Sequence, residues 1–243
     1  MLTTVDWSAY AQVYDLMADN NPAYQDLLTQ FQSDVHLWDL RDHAVIADLG
    51  AGTGNFSLLV AQAFPSASVV HLDSNPAMNA LAKRKAASRG LSNIDVLTTD
   101  IDKATFPQAS IDAVVTVHAL YSFPDPRATI QDIYQWLRPG GLVWACDLGR
   151  EMNIGDWARF LFRESYRQRG LARTIQHFIR GRVITRENRR IAAAQRVGTY
   201  WKHALSEYRM AFETAGFRVT GARAAYRGYS DIVQAQKPKE DVP

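Results

Sequence analysis

Short apolar segments alternate with amphipathic segments along the first 150 residues of the chain. The apolar runs predict five strands, at residues 44–49, 68–72, 94–98, 111–117 and 142–147. Helical spacing between these runs predicts three helices, at residues 56–64, 76–89 and 127–137. Strands and helices that alternate at this spacing are typical of a parallel, doubly wound sheet.

Both ends of the chain extend this pattern. Residues 10–31 predict helices with a break at Asn20-Asn21-Pro22, and residues 156–210 predict helix with little strand signal. Two final strands are expected, at residues 216–219 and 229–234. The fold class is therefore α/β, a Rossmann-like doubly wound sheet of seven mostly parallel strands, with helices before it and a helical insertion.

A glycine-rich loop follows the first predicted strand. Its sequence is Asp48-Leu-Gly50-Ala51-Gly52-Thr-Gly54, and glycines at this spacing let the backbone pass close to a ligand where a Cβ atom would collide. Asp73 ends the second strand, where a carboxylate can accept hydrogen bonds from both ribose hydroxyls, and Asp100 ends the third. Open α/β sheets bind ligands at this end of their strands, so a nucleotide-like ligand is expected there.

These motifs, in this order, resemble the class I S-adenosylmethionine-dependent methyltransferase family over roughly residues 44–147. The resemblance rests on Asp48 to Gly54, Asp73 to Met78, Thr99-Asp100, Ile111 to Val115 and Leu137 to Gly141. It implies an enzyme that transfers the methyl group of S-adenosylmethionine to a small-molecule acceptor. We favour nitrogen over oxygen as the accepting atom, and a methyltransferase that acts on an anionic or membrane-associated lipid is the alternative. It also implies one domain, divided into an N-terminal helical lid (1–40), a cofactor-binding core (41–150), a basic helical insertion or cap (151–212) and C-terminal strands (213–236).

The resemblance further implies roles for individual residues. Asp48 and the loop backbone of Gly50, Ala51, Gly52 and Gly54 would lie near the methionine amino and carboxylate groups. Asp73, followed by Ser74, would bind the ribose, and Met78 would pack against adenine. Asp100 would meet the adenine amino group together with the backbone N–H of Ile101, and His118 would line the floor of the site.

Methyl transfer from a sulfonium is an in-line displacement, so the protein mainly aligns the acceptor and excludes water. If the acceptor is an oxygen or a protonated amine, a base helps, and the candidates are His118 and Tyr121. His118 as a hydrogen-bonded wall residue is the alternative. Tyr10 and Tyr14 share one face of a segment that resembles the family's lid helix, and both could reach the site or belong to a core stripe. If they reach it, Tyr10 is a further catalytic candidate and Tyr14 a cofactor-binding candidate, because their hydroxyls could orient the acceptor or the cofactor carboxylate.

Other classes of protein fit the sequence less well. Nicotinamide-dependent oxidoreductases use Gly-x-Gly-x-x-Gly, whereas this loop has Gly50-x-Gly52-x-Gly54, and none of the ten tyrosines has a lysine four positions later. Cys146 is the single cysteine and is expected to be a buried strand thiol; no metal site is predicted. Modification of nucleic-acid bases is disfavoured, because His118-Ala-Leu-Tyr121 replaces the Asp/Asn-Pro-Pro-aromatic motif. A non-catalytic S-adenosylmethionine-binding protein remains an alternative.

Charge is distributed unevenly along the chain. Residues 1–150 carry 9 Lys and Arg against 16 Asp and Glu, and residues 151–243 carry 18 against 9. Arg159, Arg163 and Arg167 form a stripe on one face of a predicted amphipathic helix. The basic segment is compatible with a solvated cap, with peripheral contact to an anionic lipid surface through residues 156–190, or with recognition of an acidic or amphiphilic small substrate. Without a basic leader at residues 1–10 or a bilayer-spanning apolar run, we expect a cytoplasmic protein.

Overall fold

In the computed structural model, residues 5–239 are described, apart from the side chain of Met17, and seven strands form one sheet. The strands are β1 Val45–Leu49, β2 Ser68–Asp73, β3 Ile94–Thr98, β4 Ile111–Val117, β5 Leu137–Leu148, β6 Arg218–Ala225 and β7 Ser230–Gln236. Their order is β3-β2-β1-β4-β5-β7-β6, and only β7 runs antiparallel to its neighbours. The predicted fold class is therefore confirmed, although residues 1–4 of the predicted lid lie outside the described residues.

Eight α-helices accompany the sheet within residues 5–239. They are α1 Trp7–Asn20, α2 Pro22–Val35, α3 Asn55–Ala63, α4 Pro76–Ser88, α5 Pro126–Trp136, α6 Ile154–Arg180, α7 Arg182–Arg196 and α8 Leu205–Thr214. Proline occupies the first position of α2, α4 and α5, after an Asn or Asp whose side chain caps the helix. None of the helices in this range combines the length and the apolar character that crossing a bilayer requires.

Two hydrophobic cores lie on the two faces of the sheet. One face carries α2 and α3, where the ring of Phe31 lies 5.0 Å from that of Phe56 and 4.9 Å from that of Trp144. On the other face, α5 and α8 bury Ile133 and Phe212. Because α2 contributes fully buried side chains, the second half of the segment predicted as a lid belongs to the core.

The largest differences from the predicted boundaries lie in the second half of the chain. Strand β5 begins at Leu137, five residues before the predicted start, and the expected turn at residues 138–141 lies within it as a bulge: Gly140 has φ of +83°, and the register with β4 jumps from Ile111–Leu137 to Ala113–Leu142. Strand β6 begins at Arg218 and continues to Ala225, beyond the predicted 216–219. The helical run expected over 156–210 ends at Arg196, and α8 packs on the opposite face of the sheet against β6.

A chain of buried polar side chains lies beneath the glycine loop and joins β1, α3, β2 and α4. Ser57 Oγ lies 2.6 Å from Asp48 Oδ2 and 2.9 Å from His71 Nδ1. His71 Nε2 in turn lies 3.0 Å from Asn79 Oδ1. The amide of Asn79 donates to the backbone carbonyl of Asp73 and to Thr98 Oγ1. The loop is therefore supported from below by side-chain hydrogen bonds that reach across three strands.

The hydrogen-bond pattern of this chain assigns its protons. His71 Nε2 must donate to the carbonyl oxygen of Asn79, so Nδ1 accepts from the Ser57 hydroxyl; burial lowers the pKa of His71 to about 4 and keeps the ring neutral. The Ser57 hydroxyl hydrogen is then donated to His71 Nδ1. The 2.6 Å contact between Ser57 Oγ and Asp48 Oδ2 therefore needs a proton on the carboxyl group. Burial raises the pKa of Asp48 to about 7, which supplies that proton.

We predict that Asp48→Asn becomes more stable relative to the natural protein as the pH rises. The raised pKa means that the contribution of Asp48 to stability is complete below its ordinary pKa of 3.8 and is lost as the pH rises through about 7. An amide keeps a donor toward Ser57 and does not ionise. The difference in unfolding free energy should grow by up to about 1.4 kcal/mol per pH unit between these two values.

Urea unfolding at about pH 5, 6, 7 and 8 measures this difference. Asp95→Asn, at an exposed position of β3, is the matched control and should follow the natural protein at every pH. If the Asp48→Asn and natural curves stay parallel, Asp48 is ionised in the folded protein and the proton assignment is wrong.

Candidate active site

The glycine loop at the end of β1 takes a path that side chains would obstruct. Gly50 and Gly52 have φ angles of +68° and +57°, in the left-handed region. A Cβ atom on Gly50 would lie 2.4 Å from the Cβ of Ala119, whereas one on Gly52 would meet nothing within 4 Å. Gly50 therefore allows the loop to pack against the segment after β4, and Gly52 presents bare backbone to open space.

Asp73 is held at the mouth of this loop by backbone donors. Gly52 N donates to Oδ2 and Asn75 N donates to Oδ1, both at 2.8 Å. Burial raises the pKa of Asp73 even though these two bonds favour the carboxylate. Its oxygens are thus fixed in position at the edge of the sheet, with capacity for further donors.

A cavity of about 390 Å³ opens above these groups, within the range of roughly 300–1,000 Å³ that small-molecule sites occupy. Ten of the predicted site residues line it: Tyr14, Gly50, Ala51, Gly52, Asp73, Ser74, Met78, Asp100, Ile101 and His118. Trp7 and residues 122–124 also line the cavity, although they were not predicted as site residues. Trp7 and Tyr14 are seven positions apart on α1, so helical spacing alone was a usable signal for Trp7.

Two predicted cofactor residues lie below the loop, away from the cavity surface. Asp48 is buried in the polar chain described above, and Gly54 begins α3 with its Cα facing Ala82. Both therefore shape the loop from beneath. Asp100 lies at the open end of the cavity, where its half-exposed carboxylate pairs with Lys103 Nζ at 2.6 Å.

His118 separates this cavity from a second, smaller one. Its backbone is left-handed, with φ of 51°, and its N–H donates to the carbonyl of Cys146 at 2.7 Å. Nε2 lies 2.8 Å from Ser230 Oγ. Burial lowers the pKa of His118 to about 4, so the ring is neutral at physiological pH. Cys146 itself is a buried strand thiol, as predicted.

The smaller cavity, here called the aromatic chamber, has a volume of about 40 Å³. Its lining residues are Trp7, Tyr10, Tyr14, His118, Tyr121, Leu148, Met152, Asn188, Ile191 and Tyr226. None of them carries a formal charge at neutral pH, because burial also raises the pKa of each lining tyrosine, that of Tyr14 to about 12. Tyr10 and Tyr121, predicted as catalytic candidates, lie here and not in the larger cavity.

Helix α1 covers both cavities and is fastened at each end. At its start, the backbone N–H of Asp6 donates to the buried carboxylate of Glu187 on α7 at 2.9 Å. Tyr10 donates to Asn188, also on α7, at 2.9 Å. Farther along, Asp15 accepts from Thr53 in the glycine loop and pairs with Lys85 on α4 at 2.9 Å. Helix α1, which was predicted as a lid, is therefore held beside both cavities by α7, the glycine loop and α4.

These residues fit an adenosyl ligand. Bare backbone at Gly52, a fixed carboxylate at Asp73 and apolar side chains at Met78 and Ile101 match the amino-acid, ribose and adenine parts in turn. Over the described range, no group of three or more His, Cys, Asp or Glu side chains is arranged to hold a metal ion.

Comparison with known proteins finds methyltransferases. A profile of the methyltransferase domain matches residues 46–141. The demethylmenaquinone methyltransferase of Thermus thermophilus is 38% identical over 96 residues, 40% of this chain and 43% of that protein. The trans-aconitate 2-methyltransferase of Deinococcus radiodurans is 36% identical over 103 residues, 42% of this chain and 37% of that protein. The chain thus spans less than half of the length of each relative.

Among solved structures, a SAM-dependent methyltransferase from Aquifex aeolicus shares the fold. Its TM-score is 0.57 with 16% identity, covering 92% of this chain and 97% of that one. The matched segment contains the glycine loop, Asp73 and Asp100. Residues 46–141 therefore match a methyltransferase domain, which supports the resemblance to the class I S-adenosylmethionine-dependent methyltransferase family.

Proposed function

We propose that this protein transfers the methyl group of S-adenosylmethionine to a small, neutral acceptor, with nitrogen as the accepting atom. One observation carries the proposal: the cavity that fits the cofactor and the aromatic chamber share the lining residues Trp7, Tyr14 and His118. A ligand in each would meet at that boundary, and water would be excluded from it by α1.

Each part of the larger cavity has a role in holding the cofactor. The backbone of Gly50, Ala51 and Gly52 would face the methionine part, and Asp73 with Ser74 the ribose. Met78 and the N–H of Ile101 would contact adenine, with Asp100 at its amino group. Asp48 and Gly54 would support the loop that makes these contacts.

The bound cofactor supplies an activated methyl group on a sulfonium, whose sulfur departs readily. The chain's own contribution is alignment and exclusion of water. Trp7 and Tyr14 hold the closed position of α1 against both cavities, and Tyr10 with Asn188 fixes the far wall of the chamber. His118 offers a neutral ring at the boundary, suited to accepting a hydrogen bond from the acceptor's N–H.

The chamber favours an acceptor whose reacting end is uncharged. No Lys, Arg, Asp or Glu lines it, so an ammonium or carboxylate there would have no counter-ion and would be desolvated at large cost. A neutral amine attacks without first losing a proton, whereas an alcohol needs a base. With a pKa of about 4, His118 is a weak base, which supports nitrogen over oxygen.

The identity of the acceptor does not follow from the relatives. Their names give demethylmenaquinone in one case and trans-aconitate in another. At about 40 Å³ the chamber accommodates the reacting end of an acceptor and not a whole ring. A non-catalytic S-adenosylmethionine-binding protein is the alternative of another class, and the closed chamber beyond His118 argues for catalysis, because cofactor binding alone does not need it.

Asp73→Asn is expected to weaken binding of S-adenosylhomocysteine by roughly 10- to 100-fold, because an amide places a donor where the ribose hydroxyls also donate. Isothermal titration calorimetry on the full chain measures the affinity. Asp95→Asn should bind like the natural protein, since its side chain is exposed on β3. Equal affinity in all three proteins would remove Asp73 from the cofactor site.

Turnover is expected with neutral amines and not with carboxylates of the same carbon skeleton. The measurement is release of S-adenosylhomocysteine over a panel of matched amine, alcohol and carboxylate pairs. Desolvation of the carboxylate in the uncharged chamber is the reason for the expected discrimination. Turnover of carboxylates alone would contradict the proposal, and tight cofactor binding with no turnover across the panel would favour the non-catalytic alternative.

His118→Ala is expected to lower kcat by roughly 10-fold while S-adenosylhomocysteine affinity stays within about twofold, because the ring positions the acceptor and does not take its proton. His118→Asn, which keeps a hydrogen-bond acceptor, should recover part of the loss. Since the pKa of His118 is lowered to about 4, the ring is neutral above that value, and kcat should not titrate with it between about pH 6 and 8. A loss of roughly 100-fold or more with a new dependence on pH would instead identify His118 as a general base.

A further inference from the structure

The second half of α6 leaves the body of the protein as an exposed arm, defined here as residues 162–182. Its base is anchored by the buried Trp157, whose ring lies 4.8 Å from that of Tyr226. Within the arm, Thr174 is the one described residue that is buried. Gly170, where φ is 74° and ψ is 174°, divides it into two helical halves that fold back on each other. Ser165 Oγ lies 3.1 Å from Thr174 Oγ1, and the rings of Phe162 and Phe178 are 5.6 Å apart.

Large apolar side chains on this arm face solvent. Phe162, Tyr166, Leu171, Ile175 and Ile179 are between 40% and 54% exposed. They account for five of the nine large hydrophobic residues that are exposed in the described chain. They recur every four residues on each side of Gly170, as one face of a helix does. Exposed apolar patches of this kind mark surfaces that bind a partner.

Arginines surround this apolar stripe. Residues 157–186 contain eight arginines and a single acidic residue, Glu164. Glu164 lies 3.2 Å from Arg163 and 3.5 Å from Arg167. Among the described residues, Arg169, Arg173 and Arg180 have no acidic side chain within 4.0 Å. The partner that covers the stripe must therefore supply negative charge around an apolar centre.

We propose that the arm docks on the surface of an anionic lipid bilayer. An interfacial helix buries its apolar side chains at the boundary between headgroups and acyl chains, while arginines extend to the lipid phosphates. A nucleic acid would neutralise the arginines but leave the apolar stripe in water. A second copy of the chain would bring two arginine-rich arms together, which like-charge repulsion opposes. A lipid surface satisfies both features of the arm.

This proposal is independent of methyl transfer, but it places the site relative to the membrane. The arm leads directly into α7, and α7 contributes Asn188 and Ile191 to the aromatic chamber. A docked arm would bring the chamber side of the protein close to the bilayer. Acceptors that partition into lipid would then be concentrated near the chamber.

Vesicle flotation with the full chain tests the proposal directly. The probes are vesicles of phosphatidylcholine alone and vesicles with about 30% phosphatidylglycerol, at low salt and at about 0.5 M NaCl. We expect binding to the anionic vesicles, at least tenfold weaker binding to phosphatidylcholine, and a loss of most binding at high salt. Absence of binding to anionic vesicles at low salt would overturn the proposal, and so would equal binding to both lipids.

Paired variants locate the surface. Arg167→Gln with Arg173→Gln, and Leu171→Ser with Ile175→Ser and Ile179→Ser, are each expected to weaken vesicle binding by at least tenfold. The controls are Lys83→Gln with Arg84→Gln on α4, and Leu37→Ser, which alter exposed residues elsewhere. If the controls lose as much affinity as the arm variants, binding is not specific to the arm and the proposal is wrong.

A fluorescent label reports insertion at a single position. Cys146 is buried and burial raises its pKa, so a thiol-reactive dye will label an introduced cysteine selectively. An environment-sensitive dye on Ile175→Cys should shift to the blue on anionic vesicles, whereas the same dye on Leu37→Cys should not. A shift at both positions, or at neither, would contradict docking through the arm.

Two further outcomes would replace the proposal with another partner. Tight binding to a single-stranded DNA homopolymer without binding to vesicles would identify the arm as a nucleic-acid surface. A concentration-dependent dimer that the three serine substitutions abolish, again without vesicle binding, would identify it as an interface between copies. Calorimetry with S-adenosylhomocysteine on the same samples separates failure of this proposal from failure of the cofactor site, and thermal unfolding checks that each variant folds.

Discussion

The hydrogen-bonded chain beneath the glycine loop is the constraint on which the site depends. It places the carboxyl group of Asp48, the hydroxyl of Ser57, the imidazole of His71 and the amide of Asn79 in a line, each the partner of the next. Every member is buried, so a broken link would leave an unpaired polar group in the interior. Because Asn79 also donates to the backbone carbonyl of Asp73, the same chain fixes the backbone of the residue whose carboxylate lines the larger cavity. The loop and its carboxylate are thus positioned together.

The alternation of strands and helices was visible in the sequence because each element carries its own local signal. Apolar runs marked β3 and β4 to the residue, and Asn75 before a proline marked the start of α4. The beginning of β5 was missed because the turn at the Pro-Gly-Gly segment lies inside the strand, where Gly140 has φ of +83°. Pairing of Leu137 with Ile111 and hydrogen bonds with Lys237, nearly 100 residues away, extend the strand past this turn, and the local sequence does not signal them.

The larger cavity was more predictable from the sequence than the aromatic chamber, because its lining residues carry local signals. Gly50, Gly52 and Asp73 belong to one contiguous strand-loop-helix unit and its neighbour, so spacing along the chain reports their proximity. The aromatic chamber draws on α1, the end of β5 and α7, which come together only in the folded protein. Asp48 lies in the same motif as Gly50, yet its burial depends on Ser57 and His71, whose pairing the sequence does not signal.

Helix α1 borders both cavities with the same two side chains, Trp7 and Tyr14, and is fastened to α7 at Glu187 and to α4 at Lys85. One helix therefore forms part of the wall of both cavities. Displacing α1 would change the walls of both cavities at once. The hydrogen bond to Glu187 and the ion pair with Lys85 both oppose that displacement.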